Sequence, residues 1–270
     1  MINPSADRSI AHNVIHRETL AQTIRDRVTT MMDSPALIEE KFGSLRSDRK
    51  AVAMQTLYER EMSFVEKFYT TLNKILEGSY SKILILFDID ETIAQNIYPK
   101  SGDETVLRPA LLPVLESIQE LIQSKIISIG FITTRPVEGV CRDLEKENKL
   151  KPLQHYIHPD AIYSTRDEAT LDPDIHPPTA VFEYPANTPN SVIATSKQEG
   201  EGVDEIEAWV RANNLRKINI LQRLRDRHGA DTAFCAVDDI YYPEWLDEEK
   251  GMYGVRLRDG ESAFTFGGLG

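Results

Sequence analysis

Apolar positions recur along this chain with two different periods, and the change of period divides it. Up to residue 79 the spacing is helical: Leu20, Ile24, Val28 and Met31 share one face, and Leu57, Phe64, Phe68, Leu72 and Ile75 another. Ser47 before the second stretch suits an N-cap, and Gly78 suits a stop. The pattern predicts a helical extension over 1–79. Its apolar faces either pack on the rest of the chain, the simpler expectation, or form a separate surface for a partner.

From Lys82 onward strand and helix signals alternate. The run Ile83 to Phe87 is apolar at every position, as in a central parallel strand covered on both faces. Leu111 to Ser124 reads as a helix with Leu112, Leu115, Ile118, Leu121 and Ile122 as its stripe. A second buried strand follows at Ile126 to Ile132, a helix at Val137 to Glu147 and a short strand at Ala161 to Tyr163. Leu215 to Arg227 predicts a helix capped by Asn214 and closed by Gly229, followed by strands at Thr232 to Val237 and about Tyr253 to Leu257. This rhythm predicts an α/β fold over 80–270, a Rossmann-like parallel sheet with helices on both faces.

Between about Lys151 and Glu201 the rhythm breaks under Pro152, Pro159, Pro173, Pro177, Pro178, Pro185 and Pro189. Ala180 to Tyr184 and Ser191 to Thr195 could pair there as a hairpin, within an irregular insertion or small cap over 151–201. Only about 40 residues separate Thr92 from Thr133, and most are needed for the next helix and strand. Ala94 to Leu107 therefore has room for a flap and not for a large cap.

Composition narrows the class. Hydrophobic residues at 41% and charged residues at 27% are ordinary for a globular chain. No stretch approaches the roughly 20 apolar residues of a membrane helix, so no membrane insertion is expected. The N-terminus lacks a basic region followed by an apolar one, which predicts a cytoplasmic protein, with leaderless export left open. A net charge of −12 disfavours nucleic acid as a partner. Two cysteines, Cys141 and Cys235, make no disulfide framework and read as buried apolar residues, so any metal would be held by oxygen or nitrogen.

The chemistry concentrates in Phe87-Asp88-Ile89-Asp90-Glu91-Thr92, at the end of the first buried strand. In extended backbone Asp88 and Asp90 project to one side of the carboxyl edge, where open α/β sheets hold ligands. Carboxylates forced together there call for a cation, and oxygen donors suit Mg²⁺. Thr133 stands at the tip of the second strand, with Arg135 two positions on. Lys217 opens a helix, and Asp238 and Asp239 close a later strand. Lys197 is a rival to Lys217, whose spacing before Asp238 lets both meet at one edge. His155 and His158 have no carboxylate motif to complete a zinc site, and Asp247 to Glu249 reads as a solvated loop.

In this order these residues resemble the four motifs of the haloacid dehalogenase superfamily, in its D-x-D-x-T phosphatase branch, over roughly Lys82 to Tyr242. The resemblance implies Asp88 as nucleophile and Asp90 as general acid and base, its backbone carbonyl facing the metal. It implies that Thr133 holds a phosphoryl oxygen, Lys217 neutralises the site, and Asp238 binds magnesium assisted by Asp239. Arg135 could contact substrate phosphate through its planar fork or form a surface ion pair. The expectation is a Mg²⁺-dependent phosphohydrolase acting through an aspartyl phosphate, on a phosphorylated protein or small metabolite. A phosphotransferase of the same fold and a non-catalytic interaction protein are the alternatives.

Overall fold

A computed structural model describes residues 17–33, 47–90, 92–97, 104–146, 150–165, 217–239 and 247–257. The expected hairpin within 180–195, Lys197 and the Asn214 cap lie outside the described residues. Two helices come first, α1 (Arg17–Met32) and α2 (Ser47–Glu77). After them come β1 (Lys82–Phe87), the short strands β2 (Ala94–Ile97) and β3 (Glu104–Leu107), α3 (Leu111–Ser117), α4 (Gln119–Gln123) and β4 (Ile127–Thr133). The chain continues through α5 (Val137–Glu145) and β5 (Ile157–Ser164). It closes with a helix over 217–228, here α6, then β6 (Thr232–Asp238) and β7 (Met252–Arg256).

Five strands form one sheet in the order β5-β4-β1-β6-β7, with every neighbouring pair parallel. The apolar run of β1 is explained by its place. Ile83, Ile85 and Phe87 enter one core with α1 to α5, whereas Leu84 and Leu86 enter a second core with Ile218, Ile220, Leu221 and Leu224 of α6. Helices thus flank both faces, as in a Rossmann-like α/β fold. The chain steps outward from β1 through β4 to β5, then returns to lay β6 on the other side of β1. That reversal makes a topological switch point beside β1, and open α/β sheets hold their ligands at the carboxyl ends of the strands at such a point.

The N-terminal helices pack on the sheet. Ile24, Val28, Leu57, Phe64, Phe68, Leu72 and Ile75 belong to the same buried cluster as β1, β4 and β6. Phe68 stacks on Phe87, ring centroids 6.2 Å apart, directly behind the residue that begins the acidic motif. Within the segment Ala94 to Leu107, β2 and β3 pair antiparallel as a two-stranded sheet of their own.

Two elements depart from the sequence pattern. The helix expected over Leu111 to Ser124 is broken at Ile118, between α3 and α4. The Ser117 hydroxyl donates to the Val114 carbonyl at 2.6 Å and also meets the Tyr69 hydroxyl. The Ile118 N–H, which a regular helix would direct to Val114, turns to Leu115 instead. Strand β5 begins four residues before Ala161 and shifts register against β4 between Ile129 and Phe131. Gly130 sits at that shift, where an added Cβ would lie 2.1 Å from the Ala161 carbonyl oxygen.

Candidate active site

Asp88 is the first residue beyond β1, and its N–H bonds the Val237 carbonyl of β6 at 2.8 Å. Phe87 stands opposite Val237, so continuation of the register puts Asp88 beside Asp238, the last residue of β6. Thr133 ends β4 on the other side and is fully buried. Its hydroxyl accepts the Arg135 N–H at 3.2 Å. Lys217, the first described residue of α6, bridges the two strands: its Nζ lies 3.0 Å from Asp88 Oδ1 and 2.6 Å from Asp238 Oδ2.

Asp88, Asp238 and Asp239 are all buried, and each can offer an oxygen lying within 4.8 Å of the others. Burial is the largest influence on Asp88 and raises its carboxyl; Lys217 opposes this, while Asp238 and Asp90 add to it, leaving it up at about 7. Burial would also strip Lys217 of its charge, but Asp238 and Asp88 outweigh that and hold its pKa above the ordinary lysine value. Three carboxylates around one ammonium leave the cluster short by about two positive charges. A divalent cation that prefers oxygen donors fits that deficit and that donor set, so a cluster able to hold a metal ion is built into the sheet edge.

Thr92 ties the cluster together. Its Oγ1 accepts the Asp239 N–H at 3.0 Å and faces Asp88 Oδ2 at 3.4 Å and Asp239 Oδ1 at 3.3 Å. The Thr92 carbonyl in turn accepts Arg108 Nε at 2.8 Å. Arg108 forms an ion pair at 2.9 Å with Glu61 of α2, both side chains having no exposure.

The carboxylate of Asp90 is more open, 45% exposed, and stands apart from the three-carboxylate cluster. Arg135 grips it through both arms of its fork, Nε reaching Oδ2 at 2.9 Å, and reaches Asp143 of α5 at 3.1 Å. Arg135 is thus the centre of an Asp90–Asp143 pair, and contact with a substrate phosphate through the whole fork requires those pairs to open.

Asp88, Lys217, Asp238 and Asp239 come together, and Thr133 lies at the same sheet edge. His155 and His158 enter no group of metal-ligating side chains among the described residues. Cys235 is buried as expected, but Cys141 is exposed: it lies on α5, whose inward face is taken by Val140 and Leu144. Sequence reasoning missed Asp143, Arg108 and Glu61 and gave Thr92 no role. Glu61 carried a signal, because it falls between Leu57 and Phe64 on the apolar face of α2.

No helix among the described residues is long and apolar enough to cross a membrane. Comparison with family models, curated proteins and solved structures returned no match to this chain.

Proposed function

We propose that this chain is a Mg²⁺-dependent phosphohydrolase of the haloacid dehalogenase type, using Asp88 as its nucleophile. The observation that carries the reading is Asp88 itself: a buried carboxylate at the tip of the central strand, 3.0 Å from Lys217 and grouped with Asp238 and Asp239 at the switch point of a parallel sheet. Asp88, Asp238 and Asp239 would hold the magnesium ion through oxygen. When bound, the ion supplies positive charge that offsets the repulsion between carboxylate and phosphate.

The chain's own groups account for the remaining steps. Lys217 keeps its proton and presents a fixed cation beside Asp88. Asp88 attacks phosphorus, the bond to the leaving oxygen breaks, and an aspartyl phosphate forms. Asp90, once Arg135 turns from it to the substrate phosphate and it enters the reaction protonated, gives its proton to the departing oxygen and later takes one from the water that cleaves the aspartyl phosphate. Thr133 offers its hydroxyl to a phosphoryl oxygen from the end of β4. The substrate is a phosphate monoester, carried by a protein side chain or a small metabolite.

The test is phosphate release from an aryl phosphate, with Mg²⁺ and with chelator, for the native chain and for Asp88→Asn. Turnover that needs the metal and drops at least 10³-fold in the variant is the expected result. Metal-independent turnover, or turnover that survives the substitution, sinks the proposal.

A further inference from the structure

Among the described residues, Glu61 and Arg108 are the most deeply buried charges outside the cluster, and the steps above use neither. They join distant parts of the chain. Glu61 comes from the middle of α2, and Arg108 follows β3. Glu61 Oε1 accepts Arg108 Nη1 at 2.9 Å, and its Oε2 accepts the Ala110 N–H at 2.9 Å, just ahead of α3. One turn along α2, the Phe64 ring lies 4.9 Å from the Arg108 guanidinium carbon. Helix α2 therefore holds Arg108 by a carboxylate and by an aromatic face. The arginine spends its Nε on the carbonyl of Thr92, whose hydroxyl contacts Asp88 and Asp239.

We propose that Arg108, locked by Glu61 and Phe64, is a positioning residue of the active site: it fixes Thr92, and through Thr92 the carboxylates of Asp88 and Asp239 in their cation-receiving arrangement. An orienting bond behind a ligand carries a cost in metal affinity of about 10–100-fold when lost. A guanidinium suits the task because its planar fork bonds Glu61 and Thr92 at once, whereas an ammonium has no such rigid spread. The N-terminal helices are then part of how the site is built, since α2 supplies the groups that aim Arg108. The cation-binding half of this inference needs only the acidic cluster; the kinetic half rests on the phosphohydrolase reading.

The experiment uses the full chain and the double variant Glu61→Leu/Arg108→Met, which removes the buried pair without stranding either charge. Mn²⁺ and Mg²⁺ binding is measured by calorimetry, with kcat and KM for an aryl phosphate and the thermal midpoint beside it. The expected result is a folded protein whose cation affinity falls at least about tenfold and whose kcat falls more than KM rises. Thr92→Val, which removes only the hydroxyl, loses a similar factor, and adding it to the double variant costs little more, because both act through one contact. Arg108→Lys is read in the same way should the double variant not fold. Native cation affinity in a folded variant, or losses that simply add, overturns the inference, as does a native chain that binds no divalent cation. A native chain that binds the cation without turnover would instead end the phosphohydrolase reading and leave the binding comparison to decide this one.

Discussion

At the scale of single residues, the proton on Asp88 is the quantity to follow. With a pKa of about 7 set first by burial, Asp88 is largely protonated at pH 6 and largely ionised at pH 8. A cation must displace that proton, so its apparent affinity should rise as pH climbs toward 7 and level off above it. Calorimetry of Mg²⁺ binding at pH 6, 7 and 8 in buffers of different ionisation enthalpy checks both the slope and the released proton. The Glu61–Arg108 pair makes a different prediction. Glu61→Ala leaves a guanidinium buried beside an apolar hole, and denaturant unfolding should show a loss of about 3–5 kcal/mol. The contrast explains what could be read in advance. Asp88, Asp90, Asp238 and Asp239 occupy adjoining positions at strand tips, where local pattern and chemistry coincide. The partner of Arg108 lies 47 positions away, and no local pattern reveals such a contact.

Strands and helices differ in how openly the chain declared them. Strands β1, β4 and β6 are apolar at most successive positions because both faces are covered, and that signal depends on nothing beyond the segment itself. The break at Ile118 depends on Ser117, and Ser117 on Tyr69 of α2, so it belongs to tertiary structure and left no mark in the helical stripe. Strand β5 lies at the sheet edge with His158, Pro159 and Asp160 exposed, and only its last residues carry an apolar signal. Proline is tolerated there because an edge strand has a side without ladder bonds. The bulge between β4 and β5 makes Gly130 indispensable. Gly130→Ala drives a methyl into the Ala161 backbone, and we expect at least ~1–3 kcal/mol of lost stability in urea unfolding.

The molecule as a whole is organised about β1, with α1 and α2 closing one face of its sheet. Deleting residues 1–79 would bare Ile83, Ile85 and Phe87 together with their neighbours on β4 and β6. The truncated chain should aggregate or bind a hydrophobic dye during refolding, whereas a detachable module would leave a monodisperse remainder; light scattering decides between them. That the first helices are amphipathic was plain from their spacing, but which surface they cover depends on the sheet, and the sheet exists only once distant strands meet. Ser81 donates to the Asp231 carbonyl across 150 positions, where β1 meets β6. A ribosome adding about 5–20 residues each second needs on the order of ten seconds to travel that far. For that interval the nascent β1 carries Asp88 with neither Asp238 nor Lys217 beside it. The acidic cluster therefore cannot assemble until β6 has been made, and a nascent chain released before residue 239 carries Asp88 without the carboxylates that would complete a cation site.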